Sequence, residues 1–241
     1  MHSLKKHSPP GLFARADAPA LAACLLALSA CTTTTQAPLK QEGTACGFLG
    51  SVCNQLAPGA KDQAALRYIN PKAKWSQYQK VIIDPVTFWG ADTTKVSGAD
   101  QQTLVNFFHE KLAQEMGKKF EIVDKPGPGV MKLSVAILDA EAATPGLRTV
   151  SMVVPQAHML SNLKYLATGT FPFVGGAQGA AKLSDAQGGE VLGAWVDRQI
   201  GGGSAAAGFQ WQWGDAENAL SDWSKKAAEK LSAWTTGAAA P

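Results

Sequence analysis

Three consecutive stretches decide the fold: Phe120-Glu121-Ile122-Val123-Asp124, then Pro126-Gly127-Pro128-Gly129, then Met131-Lys132-Leu133-Ser134-Val135-Ala136-Ile137-Leu138-Asp139-Ala140. The middle one alternates Pro and Gly and reads as a turn. In the last, Leu133, Val135 and Ile137 alternate with Lys132, Ser134 and Ala136, which is the period of a strand. Strand therefore follows strand with no helix between, and residues 149–154 predict another. Runs of strands disfavour a doubly wound parallel sheet. They favour an α+β domain, a largely antiparallel sheet with two or three helices packed on one face.

Working outward, residues 79–89 (Gln-Lys-Val-Ile-Ile-Asp-Pro-Val-Thr-Phe-Trp) are rich in β-branched and aromatic residues and predict a strand. Pro85 removes a ladder donor, so the strand is at an edge or bulged there. Ser97-Gly98-Ala99-Asp100 has the spacing of a capping box. Leu104, Phe107, Phe108, Leu112 and Met116 then form one apolar helix face, which ends at Gly117. Residues 157–167 can form a helix, residues 171–181 are Gly-rich and apolar, and residues 190–200 predict a long strand. A last helix runs from Asp215, its expected N-cap, to Trp234. Its stripe is Leu220, Trp223, Ala227, Leu231 and Trp234.

The N-terminus has the layout of a secretory signal. Lys5, Lys6 and Arg15 precede an apolar run at residues 18–30, and small residues lead to Cys31. The run is 13 residues long, short of the roughly 20 that a spanning helix needs. Leu28-Ser29-Ala30-Cys31 resembles a bacterial lipobox. The resemblance implies cleavage before Cys31, thioether diacylation of its sulfur and acylation (palmitate or a similar chain) of the new amine. Leu21-Ala22-Ala23-Cys24 fits the pattern as well, but too few apolar residues precede it. Thr32 after the Cys, where an Asp would signal inner-membrane retention, implies the periplasmic face of the outer membrane. The expected layout is a signal peptide over residues 1–30, a flexible tether over 31–61, one domain over 62–236 and a disordered tail over 237–241.

Removing residues 1–30 takes three of the 22 basic residues and one of the 19 acidic ones, leaving a net charge of +1. Nucleic-acid binding, which needs a basic patch or stripe, is not indicated. Cys46 and Cys53 are the cysteines left once Cys24 is cleaved off and Cys31 is acylated. In an oxidising compartment they are expected to pair, with two free thiols as the alternative.

Leu66-Arg67-Tyr68-Ile69-Asn70-Pro71, residues 78–86, residues 140–148 and residues 189–198 together resemble a family of bacterial lipoproteins known as domain of unknown function 3313. The resemblance implies lipoprotein character and an α+β envelope domain, and it brings no catalytic residues.

No catalytic constellation stands out. His109 and His158 are not in a His-Glu-x-x-His motif, no Ser sits in a nucleophile elbow, and Gly175-Gly176-Ala177-Gln178-Gly179 lacks the Gly-Lys-Ser/Thr end of a phosphate loop. That stretch reads as a mobile apolar loop or close backbone packing, and with Phe171 and Phe173 it is a candidate partner-binding lip. Asp84, Asp139, Glu141, Asp197 and Arg198 lie in or beside predicted strands. Asp84, Glu141, Asp197 and Arg198 are the candidate functional surface, with Asp197 and Arg198 on opposite faces. Phe209, Trp211 and Trp213 alternate with glutamines, as a core-facing strand or an exposed aromatic face. No cofactor or metal site is expected. The expected function is a non-enzymatic binding or assembly module of the cell envelope, held to the membrane through Cys31 and meeting an envelope protein or glycan. The alternatives are an enzyme on cell-wall or glycan material using Asp84, Glu141 or Asp197, and a subunit of an envelope transport or secretion assembly.

Overall fold

The computed structural model describes residues 34–40, 43–90, 94–144, 159, 164, 173–202 and 211–241. The chain divides into two units, Met1–Cys31 and Thr32–Pro241, and the described residues all belong to the second. The expected signal segment with Cys24 and Cys31, the expected strand at 149–154, His158, most of the expected helix at 157–167, Phe171 and Phe209 lie outside them.

Among the described residues a nine-stranded mixed sheet is built around β7 (Val130–Glu141). β8 (Gly176–Asp185) pairs antiparallel with β7, and β9 (Val191–Gly201) pairs antiparallel with β8. Beyond β9, β1 (Thr34–Gln36) and β3 (Leu66–Ile69) share its free edge, both antiparallel, and β2 (Ala57–Pro58) adds to β3. On the other edge of β7, β4 (Lys80–Ile83) and β5 (Thr87–Phe88) run parallel to it, and β6 (Glu121–Ile122) runs parallel to β4. The antiparallel majority agrees with the strand-after-strand sequence. The parallel group exists because helix α2 (Gly98–Met116) separates β5 from β6 and carries the chain back to the same end.

The Pro85 interruption is a bulge. Ile83 lies opposite Leu133 and Thr87 opposite Ala136, so β4 and β5 together carry one residue more than β7. Proline cannot donate at the break, and the ladder resumes two residues later.

Alternation on β7 sorts its side chains into two cores. Met131, Leu133, Val135 and Ile137 join the larger one, beneath α2 and the C-terminal helix α3 (Gly214–Thr235). Ala136 and Leu138 point the other way, to Ala180, Ala194 and Val196 on β8 and β9. Ala45, Leu49 and Val52 cover this second face from helix α1 (Gly43–Leu49) and the 3-10 turn that follows it (Gly50–Gln55). Burying Leu49 and Val52 contributes about 1.5–3 kcal/mol each, which explains why residues 43–55 are held to this face.

That is the main correction to the sequence reading. Of the segment 31–61, expected as a tether, the described part supplies β1, α1, the 3-10 turn and β2. Its polar Thr run reads as linker, but β1 is an edge strand whose backbone β9 satisfies. The Gly-rich stretch at 175–179 is not a loop: from Gly176 onward it is the start of central strand β8. The close-packing half of that reading holds, because a Cβ on Gly179 would lie 3.2 Å from the Trp223 ring. Asp215 is not the N-cap of α3. Trp213 holds that position, and the Asp215 carboxylate instead accepts a 2.8 Å hydrogen bond from the Gly175 amide where β8 begins.

Candidate functional site

On β9 the strand period sends Trp195 and Asp197 toward α3, while Val196 and Arg198 go to the opposite face. Asp197 and Arg198 are therefore neighbours in sequence with unrelated surroundings.

The Asp197 carboxylate accepts from four donors. Trp223 Nε1 on α3 is at 2.9 Å, Gln36 Nε2 on β1 at 2.6 Å, the Ala65 amide at 3.1 Å and Gln199 Nε2 at 3.3 Å. A carboxylate so occupied is a bracket between elements. Beside it, between the sheet and α3, opens a cavity of about 660 Å³. Ala181 on β8 and Ala227 on α3 line it with short side chains that take up little of the space between sheet and helix. Its walls are Leu133, Val135, Trp195, Trp223, Leu231 and Trp234. Trp195 stacks on Trp234 with 6.3 Å between centroids. At the mouth stand Lys61, Arg67, Lys226 and Lys230. Lys230 Nζ donates to the Asp62 carbonyl at 3.0 Å, and Lys226 pairs with Asp222 at 2.6 Å. Partial desolvation, then the nearby Arg67 and Lys226 charges, hold the Lys230 ammonium below its ordinary range.

Arg198 and Glu141 form a second cluster. Arg198 is 5% exposed. Its guanidinium donates to the Pro38 carbonyl at 3.1 Å and to Glu141 Oε1 at 2.7 Å. Lys40 Nζ also reaches Glu141 at 2.7 Å and lies 3.7 Å from Asp139, while the Lys40 amide donates to Gln178 Oε1 at 2.8 Å. Burial pushes the Glu141 carboxyl up, but the bonds from Lys40 and Arg198 outweigh it, and the group sits below its usual range. Asp139 is shifted the other way, chiefly by burial, with Lys40 opposing. The cluster straps residues 37–40 to the sheet.

Asp84 stands in a third place, at the Pro85 bulge. It accepts from Ser134 Oγ at 2.6 Å and lies 3.4 Å from Lys132 Nζ. Lys132 pairs across the ladder with Ser184, and Ser134 with Lys182. These four line a shallow hollow of about 390 Å³ next to Gly50 and Ser51.

The structure thus does not bring the candidate carboxylates together. Asp84 is level with Leu133. Glu141 is eight residues further along β7, roughly 25 Å at strand rise, and Asp197 is on the other face. A glycosidase pair lies within about 5–10 Å.

Cys46 on α1 and Cys53 in the 3-10 turn are joined by a disulfide, with 5.2 Å between their Cα atoms. His109 is half-buried on α2, and its Nδ1 has no hydrogen-bond partner among the described residues. Trp211 is exposed and donates to Glu217, whereas Trp213 is buried, so these two lie in the turn into α3 and not on a core-facing strand. Among the described residues no cluster of His, Cys, Asp and Glu is arranged to hold a metal, and no helix is long and apolar enough to cross a membrane.

Sequence reasoning missed the cavity and its residues. A signal was available: Trp223, Ala227, Leu231 and Trp234 share one stripe of α3, and Lys226 and Lys230 flank it one turn apart.

The architecture defines an α+β domain whose mixed sheet is covered by two helices on one face and a disulfide-clipped helix on the other. The chain belongs to the DUF3313 family, proteins of unknown function, whose model matches residues 44–227. No protein of curated function matches it. Among solved structures it is similar to the PelC dodecamer from Paraburkholderia phytofirmans in two crystal forms. Both matches are 10% identical with a TM-score of 0.37, covering 69% and 66% of this chain and 94% of that one. It is also similar to protein XCC0632 from Xanthomonas campestris, at 12% identity and a TM-score of 0.37, covering 71% of this chain and 94% of that one.

Proposed function

We propose that this protein is a lipoprotein of the bacterial cell envelope, anchored by acyl groups on Cys31 at the periplasmic face of the outer membrane, and that its domain is a binding module. The cavity between β9 and α3 carries the binding reading: an open space of about 660 Å³ with apolar walls and a cationic mouth, within the roughly 300–1,000 Å³ of small-molecule sites. The anchor is supported by the basic, apolar and small-residue zones that end in Leu28-Ser29-Ala30-Cys31. The Cys46–Cys53 bond agrees with an oxidising compartment. An enzyme built on Asp84, Glu141 or Asp197 finds no support in their separate placement and partners.

The test is metabolic labelling with an alkyne fatty acid, followed by fractionation. Cys31→Ala is expected to abolish both labelling and membrane retention, and Cys24→Ala to leave both intact. Labelling that survives the first change and disappears with the second moves the anchor to Cys24. Turnover of an envelope substrate by the purified protein in a hydrolase panel overturns the binding-module reading. Crosslinking in intact cells separates a free-standing module from a subunit of a larger assembly.

A further inference from the structure

We propose that the cavity between β9 and α3 binds a single acyl chain bearing a carboxylate head group, with the carboxylate at Arg67 and Lys230 and the chain along the tryptophan wall. The inference rests on the binding-module reading and names its ligand class.

Two independent observations converge on it. The first is the composition of the walls. Trp195, Trp223 and Trp234 with Leu133, Val135 and Leu231 present apolar surface, and the Asp197 carboxylate beside them already accepts from four donors. A ligand body against those six side chains gains from apolar burial.

The second is a pair of cations at the mouth without a salt bridge. Lys61, Arg67, Lys226 and Lys230 line it together with Asp62 and Asp197, and Lys226 is paired with Asp222. Among the described residues neither Arg67 nor Lys230 makes a salt bridge, and Arg67, half-buried, makes no side-chain hydrogen bond. Burial, then the neighbouring Arg67 and Lys226 charges, depress the Lys230 ammonium, with Asp62 and Asp197 opposing. Two cations without a salt bridge beside an apolar slot are met by an anionic amphiphile. A guanidinium is also the side chain whose fork matches a carboxylate bidentately.

The chain itself offers one competing occupant. It is an acyl group on Cys31, and the experiment separates it from a free ligand.

The experiment titrates the full chain carrying Cys31→Ala with dansyl-undecanoic acid, reading dansyl emission sensitised by excitation of the tryptophans. A neutral dansyl-undecanol serves as the control probe. Saturable binding of the acid is expected, with clearly weaker binding of the alcohol. Arg67→Gln with Lys230→Gln is expected to weaken the acid about tenfold or more, as for one lost charge-assisted contact, and to leave the alcohol unchanged. Both positions are at the mouth, so this variant keeps the test decisive if the cavity-filling Ala227→Trp, expected to exclude both probes, does not fold. Absence of saturable binding in a chain with native thermal unfolding overturns the proposal, as does equal affinity for acid and alcohol. Exclusion of the probe from the acylated wild-type chain, with binding only after Cys31→Ala, gives the slot to the chain's own acyl group and also overturns it. None of these outcomes touches membrane retention, so the labelling test on Cys31 and Cys24 judges the anchor separately.

Discussion

Arg198 is where a residue singled out from sequence turns out to be a strap. Its guanidinium is buried, and it holds the Pro38 carbonyl and Glu141 at once. Arg198→Met strands Glu141 with Lys40 alone and leaves the Pro38 carbonyl short of a donor. The expected loss is roughly 2–3 kcal/mol, below the ~3–5 kcal/mol for a fully buried pair because Glu141 keeps Lys40 and part of its hydration. Urea unfolding measures it, and Arg198→Lys is expected to recover only part, since one ammonium cannot serve two diverging acceptors. The two carboxylates beside it predict opposite pH behaviour. Glu141 lies below its ordinary value in the fold, so its stabilisation is full above the unfolded value and is lost as pH falls through the folded one. Asp139 lies above its ordinary value, so its ionisation costs stability as pH rises through that window. Relative to wild type, Glu141→Gln should therefore become more destabilising from acid to neutral pH, and Asp139→Asn less so. Unfolding midpoints across that range check both signs. The opposite facing of Asp197 and Arg198 was legible in strand alternation. Their partners were not, because Pro38 and Gln36 are 160 and 161 residues away in the chain, and no local pattern encodes that closure.

At the level of elements, β7, α2 and α3 announce themselves because each carries its own period. β8 does not: Gly176-Ala177-Gln178-Gly179-Ala180-Ala181 has little β propensity, and it is a strand because β7 and β9 pair with it on both sides. α1 was illegible for a related reason. It is seven residues long, too short to be stable alone, and it holds because the second face of the sheet and the Cys46–Cys53 bond hold it. The bond should therefore matter locally. Closing so small a loop is worth about 2–2.5 kcal/mol in the chain-entropy account. Cys46→Ser with Cys53→Ser is expected to lower stability by about that much. It should also raise amide exchange over residues 43–55 and the facing positions around Ala136, Ala180 and Ala194, while α2 and α3 stay protected until global unfolding. Exchange that rises equally under α2 and α3 would mean that the two faces are one cooperative unit.

Across the molecule, two kinds of information lie side by side. The N-terminal thirty residues are written in composition, a basic start, an apolar run and a small-residue end, which is why the proposed address rests on sequence without any structure. The domain is written in long-range pairing, and its cavity lies over the short side chains of Ala181 and Ala227, which a sequence does not mark as a void. The anchor proposal makes a physical prediction that separates it from surface adsorption. With the signal removed the chain carries a net charge of +1, and a basic residue near an anionic surface contributes only about 1 kcal/mol, screened by salt. Acyl chains contribute about 0.8 kcal/mol per buried CH₂, independent of salt. Wild-type protein is therefore expected to stay with the membrane fraction through high-salt washing and to leave it only with detergent, whereas Cys31→Ala is expected in the soluble periplasmic fraction at every salt concentration. Salt that releases the wild type, or a Cys31→Ala chain that stays bound, would instead place the attachment in the folded domain, with the cationic mouth at Arg67, Lys226 and Lys230 as the first surface to neutralise.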